Sequence, residues 1–289
     1  MQGVNAPARI EEKAARLREM VAARPGLIVA YSGGVDSAFL AWTAHEVLGE
    51  RMRAVIADSA SLARTHLEDA LAFAREQHIP VEVVETRELE NPAYARNDSM
   101  RCFHCKDELF TVLERFRQEH GLTAVAYGVN ADDEGDFRPG QQAARAHYVL
   151  APLLEARLTK SEIRQLAREA GLRVWEKPAS ACLSSRIEYG RAVTPEALSV
   201  IERGEDALRG LGFRQFRVRH HGEIVRIEIA RDELARALSA EMACDFTAIF
   251  KGLGFKFVTL DLEGFRSGSM NQLLSAEELV KGSRTSVAS

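Results

Sequence analysis

Leu27-Ile28-Val29-Ala30-Tyr31-Ser32-Gly33-Gly34-Val35-Asp36-Ser37 carries a strand, a tight loop and the start of a helix. Leu27 to Tyr31 is apolar at nearly every position and too short for a helix, the pattern of a strand buried on both faces. Phe39, Leu40 and Val47 then give an apolar face to a helix that begins inside the loop. Between them, Gly33 and Gly34 let the backbone close around a ligand, while Ser32, Ser37 and the unpaired amides of the helix start offer donors to an anion. The pattern is a phosphate cradle. No lysine follows the glycines, so it is not the G-x-x-x-x-G-K-[ST] loop that serves γ-phosphate cleavage.

Working outward, Arg53 to Ala57, Val81 to Val84 and Ala124 to Gly128 repeat the short apolar run and alternate with helical patterns, as a doubly wound parallel α/β sheet requires. A first helix is read from Ile10, Ala14, Leu17 and Val21. Thr159-Lys160-Ser161-Glu162 is a capping box that opens another, with Ile163, Leu166, Ala167 and Ala170 on its buried face. The pattern changes after Tyr189-Gly190. Thr194-Pro195 starts a helix running to about Gly210, and Phe213 to Arg219 and Ile224 to Ile229 are alternating strands joined by a turn at His220-His221-Gly222-Glu223. A helical stretch from Asp232 to about Ala240 and a strand from Phe257 to Leu262 follow. Lys251-Gly252-Leu253-Gly254-Phe255 echoes Arg209-Gly210-Leu211-Gly212-Phe213, which predicts a smaller C-terminal α+β domain of helix-then-strand units. The expected division is 1–186 and 187–289.

The 289 residues are 46% hydrophobic and 28% charged, enough to build a substantial core. A formal charge of -4 gives no electrostatic footprint for a long phosphate backbone, so nucleic acid is not the expected partner. No run approaches the roughly 18 apolar residues of a membrane span, and the N-terminus lacks the apolar core of a secretory signal; a cytoplasmic protein is expected.

Four cysteines are too few for a disulfide framework in a chain of this length. Cys102 and Cys105 form a C-x-x-C pair in Arg101-Cys102-Phe103-His104-Cys105-Lys106, compatible with a redox dithiol, half of a zinc site or two buried thiols. Cys182 lies in Lys177-Pro178-Ala179-Ser180-Ala181-Cys182-Leu183-Ser184-Ser185-Arg186, and is either a third thiolate of a four-iron cluster or a lone nucleophile. Cys244, beside Met242 and Phe246, is expected to be buried. Arg217 and Arg219, two apart on a strand, send both guanidinium groups from one face and can clamp a phosphate; a solvated basic edge would look the same. Asp133, Asp136 and Arg138 lie beyond the carboxyl end of a strand, where open α/β sheets place ligands.

Together SGGVDS, RCFHCK, DDEGDFRPG, KPASACLSSRIEYG, LGFRQFRVRHHG and DLEGFRSGSMN resemble the LarE family, the ATP-dependent sulfur transferases that build the nickel-pincer nucleotide cofactor of lactate racemase. The resemblance spans about residues 10 to 275. It implies a pyrophosphatase loop, Ser32, Gly33, Gly34, Asp36 and Ser37, that cups the pyrophosphate released from ATP, with Asp36 placing Mg²⁺ and Ala57 and Ser59 against the adenosine. It implies that a carboxylate of a pyridinium dicarboxylic acid mononucleotide is adenylated and converted to a thiocarboxylate. Lys106 resembles a lysine needed for that chemistry, and Glu205 and Glu228 resemble glutamates near the active site. Ser185, Arg186, Arg217 and Arg219 would hold the substrate's phosphate, with Asp133, Asp136 and Arg138 also near substrate and Arg266 a further candidate. The family has a version with one sacrificial cysteine and a version whose three cysteines hold an iron-sulfur cluster. Cys102, Cys105 and Cys182 match the second, implying a [4Fe-4S] cluster; the single-cysteine donor falls one position earlier, at Ala181 here, which weighs against Cys182 as a sacrificial donor. A homo-oligomer is also implied.

Other readings remain open at this level. An amide-forming synthetase or a tRNA thiolase would share the loop, but the first leaves the cysteines without a task and the second calls for a basic surface. A nucleotide-sensing module with a structural zinc would need a fourth ligand.

Overall fold

A computed structural model describes residues 6–134, 139–178 and 181–266. The chain divides into two compact units, 1–87 with 102–180, and 88–101 with 181–289. Residues 181–186 and the inserted stretch 88–101 therefore go with the C-terminal unit, where the sequence suggested one cut after 186.

In the first unit β1 (Leu27–Ala30) pairs in parallel with β2 (Met52–Asp58) on one side and β4 (Ala124–Tyr127) on the other, and β2 pairs with β3 (Val81–Glu85), giving the order β3-β2-β1-β4. Alternate residues enter opposite cores. Leu27, Val29, Ala54 and Ile56 pack with Leu17 and Val21 of α1 (Ala6–Ala22), Phe39 and Leu40 of α2 (Val35–Leu48), Phe73 of α3 (Arg64–Glu76) and Ile163 of α8 (Lys160–Glu169). Ile28, Ala30, Val55 and Val125 face the other way, against Phe110 and Leu113 of α5 (Arg101–Glu119) and Ala143 and Ala144 of α6 (Pro139–Ala146). The sheet is doubly wound because both of its faces are apolar. The short helices α4 (Pro92–Ala95) and α7 (Pro152–Glu155) complete the order up to α8.

The expected capping box opens α8: Thr159 Oγ1 accepts from the Glu162 amide at 3.3 Å, and Glu162 Oε2 accepts from the Thr159 amide at 2.9 Å. Lys13 of α1 donates to the same carboxylate at 2.7 Å. Burial pushes the Glu162 carboxyl up, but Lys13 and the Thr159 amide outweigh it and leave it below its ordinary range. Ionised Glu162 therefore stabilises the fold above the unfolded carboxyl range, and this contribution is lost as pH falls through the depressed value. Thr159→Ala is expected to cost about 1 kcal/mol at neutral pH, read by urea denaturation.

In the second unit α9 (Pro195–Gly210) leads into β5 (Phe216–His221), which pairs antiparallel with β6 (Ile224–Ile229); β7 (Phe257–Leu260) adds in parallel to β6. β5 begins three residues later than the alternation suggests. Phe213 is taken up by the helix end, its amide bonding Leu208 O at 3.2 Å after Gly212 at φ +83. His220 and His221 belong to the strand, opposite Val225 and Ile224, so the turn is confined to Gly222 and Glu223. The sequence echo is a repeated helix stop: Gly254 at φ +100 lets the Phe255 amide reach Phe250 O at 3.1 Å, as Gly212 does for Phe213. The helical stretch expected from Asp232 to about Ala240 contains the short helix α10 (Leu234–Ala237), and a further helix that the sequence reading did not delimit, α11 (Ala240–Gly252), follows where Ser239 Oγ caps it by accepting from the Met242 amide. Cys244 on α11 is exposed, against the expectation of burial, because the apolar face of that helix runs through Met242, Phe246 and Phe250.

Candidate active site

In the first unit the loop after β1 has the shape its residues dictate. Gly33 sits at φ +68, and a Cβ there would collide with Ala70 Cβ. Ser37 Oγ accepts from the Ser32 amide at 3.1 Å, lies 3.0 Å from Ser32 Oγ and donates to Gly34 O at 3.1 Å, tying the loop across its mouth. Gly34 is the N-cap of α2 and supplies no side-chain cap, so the first-turn amides stay available to an anion. Ala57 and Ser59 lie at and just beyond the carboxyl end of the adjacent strand β2; Ser59 is buried and its Oγ accepts from the Ser61 amide at 3.0 Å.

Asp36 pairs through Oδ2 with the Lys160 ammonium. Its Oδ1 is buried without a hydrogen-bonding partner of good geometry, the Asn130 amide being its polar neighbour. Burial pushes the carboxyl up; Lys160 and Asn130 pull it back, Asp133 pushes with burial, and the net is above the ordinary range. A raised carboxyl stabilises the fold only while protonated, below the unfolded range, and this is lost as pH rises. At neutral pH the charge costs stability. Asp36→Asn is therefore expected to raise the melting temperature of the nucleotide-free protein while lowering ATP turnover at least about 100-fold.

Asp133 is buried on the turn after β4, where its Oδ2 accepts from the Asn130 amide at 3.1 Å. Asp136 and Arg138 lie outside the described residues. Two cations that the sequence reading passed over flank the loop. Lys160, read only as part of a cap, faces Asp36; Lys177 pairs with Asp69, and its Nζ would lie 3.8 Å from a Cβ on Gly33. Lysine one residue past a cap, and lysine opening the KPASAC string, were the available signals. Cys102, Cys105 and Lys106 lie on the opening turns of α5. Three-residue spacing puts both thiols on one side of the helix, Cys102 exposed and Cys105 half-buried. Lys106 packs against α6, its Cγ 3.0 Å from where a Cβ on Gly140 would be.

The second unit gathers the remaining candidates. Cys182 precedes the short turn 183–186, its Sγ 3.0 Å from Ser184 Oγ. Arg186, 1% exposed, donates to Glu205 Oε1 at 2.9 Å and to the carbonyls of Ala181 and Cys182 at 2.6 and 2.9 Å. Ser185 Oγ also donates to the Cys182 carbonyl at 2.7 Å. Burial works against ionising the Cys182 thiol, but the Arg101 guanidinium, the Ser184 hydroxyl and Arg186 outweigh it and hold the thiol below its ordinary range.

On the sheet, Arg219 donates to Glu228 at 2.8 Å, Arg226 reaches the same carboxylate at 3.3 Å, and Arg226 and Arg266 both approach Asp261. Arg217 lies opposite Glu228 in register and stacks on Phe265 with 4.9 Å to the ring centroid. Burial pushes Arg217 down to about 10, helped by Arg186 and Arg219 and resisted by Glu205 and Glu228. Among the described residues five guanidiniums, of Arg186, Arg217, Arg219, Arg226 and Arg266, meet four carboxylates, of Glu205, Glu228, Asp261 and Glu263, and Arg266 Nε is buried without a hydrogen-bond partner. An anion would relieve that surplus.

Among the described residues no three His, Cys, Asp or Glu side chains form a metal-binding group. In the first unit, the two thiols on one helical turn of α5 are donors of the type that iron-sulfur clusters take. Asp36, with one buried and unpartnered oxygen, fits a divalent cation.

Comparison with known proteins agrees with this geometry. The NAD synthase family model matches residues 9–108, which include the glycine loop. A glutamine-hydrolyzing GMP synthase chain from Pyrococcus furiosus is 25% identical over 215 residues, 66% of this chain and 65% of its own. An uncharacterized protein from Synechocystis is 41% identical over 266 residues, 92% of this chain and 99% of its own. The pyridinium-3,5-bisthiocarboxylic acid mononucleotide synthase of Lactiplantibacillus plantarum is 34% identical over 252 residues, 87% of this chain and 91% of its own. Similarity of that extent runs through both units, and the chain belongs to the pyridinium-3,5-bisthiocarboxylic acid mononucleotide synthase family, the LarE family.

Proposed function

We propose that the protein is an ATP-dependent sulfur transferase that adenylates a carboxylate of pyridinium-3,5-biscarboxylic acid mononucleotide and replaces the adenylate by sulfur. A carboxylate resists nucleophiles. Joining it to AMP, with departure of pyrophosphate, creates a leaving group that a sulfur nucleophile can displace, releasing AMP and forming the thiocarboxylate. The observation that carries the reading is the group of guanidiniums Arg186, Arg217 and Arg219 at the turn that holds Cys182, a thiol held toward thiolate, as an anionic substrate and a sulfur reaction require.

In the first unit, Ser32, Gly33, Gly34 and Ser37 cup the pyrophosphate, Asp36 holds Mg²⁺, Ala57 and Ser59 border the adenosine, and Lys160 and Lys177 neutralise phosphate charge. Lys106 neutralises charge at the adenylate, with Asp133, Asp136 and Arg138 near the substrate. In the second unit Arg217 and Arg219 bind the mononucleotide phosphate with Ser185 and Arg186, while Glu205 and Glu228 hold those guanidiniums in place. Cys102, Cys105 and Cys182 would hold a [4Fe-4S] cluster, which would supply the sulfur for transfer. The protein works in the cytoplasm, without nucleic acid, as a homo-oligomer; Ile224 and Phe257, cross-strand neighbours 40% and 59% exposed, are an apolar pair such an assembly would cover.

The depressed Cys182 thiol also favours a second reading, in which Cys182 attacks the adenylate and surrenders its own sulfur, leaving dehydroalanine. Anaerobic turnover with ATP, Mg²⁺ and the dicarboxylic mononucleotide, read by mass spectrometry of product and protein, separates the two. Thiolated product with an unchanged polypeptide supports the cluster; a polypeptide lighter by one H₂S supports sacrifice. Pyrophosphate release without thiolated product contradicts both.

A further inference from the structure

Residues 88–101 leave the first unit after β3 and pack into the second. Their anchor is Asn97, buried and at φ +57, a left-handed conformation that asparagine tolerates better than most residues. Its Nδ2 donates to the carbonyls of Ile187, Glu188 and Arg191 at 3.3, 2.8 and 2.9 Å, and its own carbonyl accepts from the Gly190 amide at 3.0 Å. One residue thereby fastens both sides of the 187–191 loop. Its Oδ1 accepts from Arg101 Nη1, and the same nitrogen donates to Ser184 O at 3.0 Å, inside the turn that carries Cys182. Arg101 is 4% exposed and lies over the Tyr189 ring at 5.5 Å from its centroid. Arg186 grips the same turn through the Ala181 and Cys182 carbonyls. The backbone of the cysteine's turn is thus bonded by two guanidiniums, one from the inserted stretch and one from its own loop.

We propose that Asn97 and Arg101 form a clasp that positions the Cys182 turn and its sulfur for transfer, making Arg101 a positioning residue of the sulfur step. The assignment rests on the sulfur-transfer reading given above. Lysine would keep the charge but not the planar guanidinium that lies over Tyr189.

The test compares alkylation of Cys182 in the full-length, chelator-treated protein by anionic iodoacetate and neutral iodoacetamide at one pH, with peptide mass mapping to isolate that thiol. Both reagents attack the same thiolate, so the ratio of their rates cancels the ionised fraction and reads local charge. Arg101→Gln is expected to lower the iodoacetate-to-iodoacetamide ratio about fivefold to tenfold, and Arg101→Lys to restore most of it. Asn97→Gly keeps the left-handed backbone and removes only the amide, and is expected to lower the ratio about threefold. Thiocarboxylate formed per pyrophosphate released should fall about tenfold in Arg101→Gln and recover only in part in Arg101→Lys. An unchanged alkylation ratio in Arg101→Gln overturns the clasp, as does a changed ratio with undiminished coupling. Alkylation needs no turnover, so it reads the clasp even if wild-type protein forms no thiocarboxylate, which instead defeats the sulfur-transfer reading.

Discussion

Gly128→Ala is expected to lower ATP-dependent pyrophosphate release by at least about 100-fold while leaving the protein folded. Gly128 follows β4, beside the glycine loop. A Cβ there would lie 2.6 Å from Ser37 N, 2.9 Å from Ser37 Cα and 3.0 Å from the Asp36 carbonyl carbon. All three are backbone atoms, so nothing can rotate aside, and the first turn of α2 must shift with both Asp36 and Ser37. Overpacking of this kind costs about 1–3 kcal/mol, which a domain of this size survives. The donors aimed at pyrophosphate would move with the helix start, and misplacement of about 1 Å is enough for the stated loss. Circular dichroism and a melting curve close to wild type, with turnover lost, are the expected pair of results. Near-normal turnover would mean that the helix start does not position the nucleotide.

Glu228→Ala is expected to destabilise the second unit by about 3–5 kcal/mol. The Glu228 carboxylate has no solvent exposure and compensates Arg219, itself 6% exposed, and Arg226. Removing it leaves buried guanidinium charge without its counterion. The cost is measured by hydrogen exchange at the amides of β5 and β6, where protection should collapse. Glu223→Ala supplies the contrast: its ion pair with Lys256 is exposed on both sides, and the change should stay within about 0.5 kcal/mol.

The sheet was legible because burial on both faces leaves an apolar run that little else explains: Ile28 and Val29, adjacent in sequence, enter opposite cores. The loop was legible because its conformation demands its residues, with Gly33 both left-handed and pressed on Ala70. Capping at Thr159 and the repeated Gly-Leu-Gly-Phe helix stops are local chemistry and could be read locally. What was missed is decided at long range. The allegiance of residues 88–101 depends on an Asn97 amide that reaches carbonyls about ninety positions onward, and no periodicity in the stretch announces it. Lys160 and Lys177 gain meaning only when the fold carries them to the glycine loop. Cys244 was misread because neighbouring apolar residues on a helix do not share a face with it. Cys182 was found from sequence, but the guanidiniums of Arg101 and Arg186 that bond its turn were not recognised as its environment.

The most direct measurement follows a carboxylate oxygen. With the dicarboxylic mononucleotide labelled with ¹⁸O in its carboxyl groups, ATP and Mg²⁺, formation of an acyl-adenylate followed by attack of sulfur on the carbonyl must leave one ¹⁸O in the AMP released, together with unlabelled pyrophosphate. Label in AMP matching the thiocarboxylate formed is the result expected. ADP with ¹⁸O in inorganic phosphate, or AMP free of label while thiocarboxylate accumulates, would contradict it.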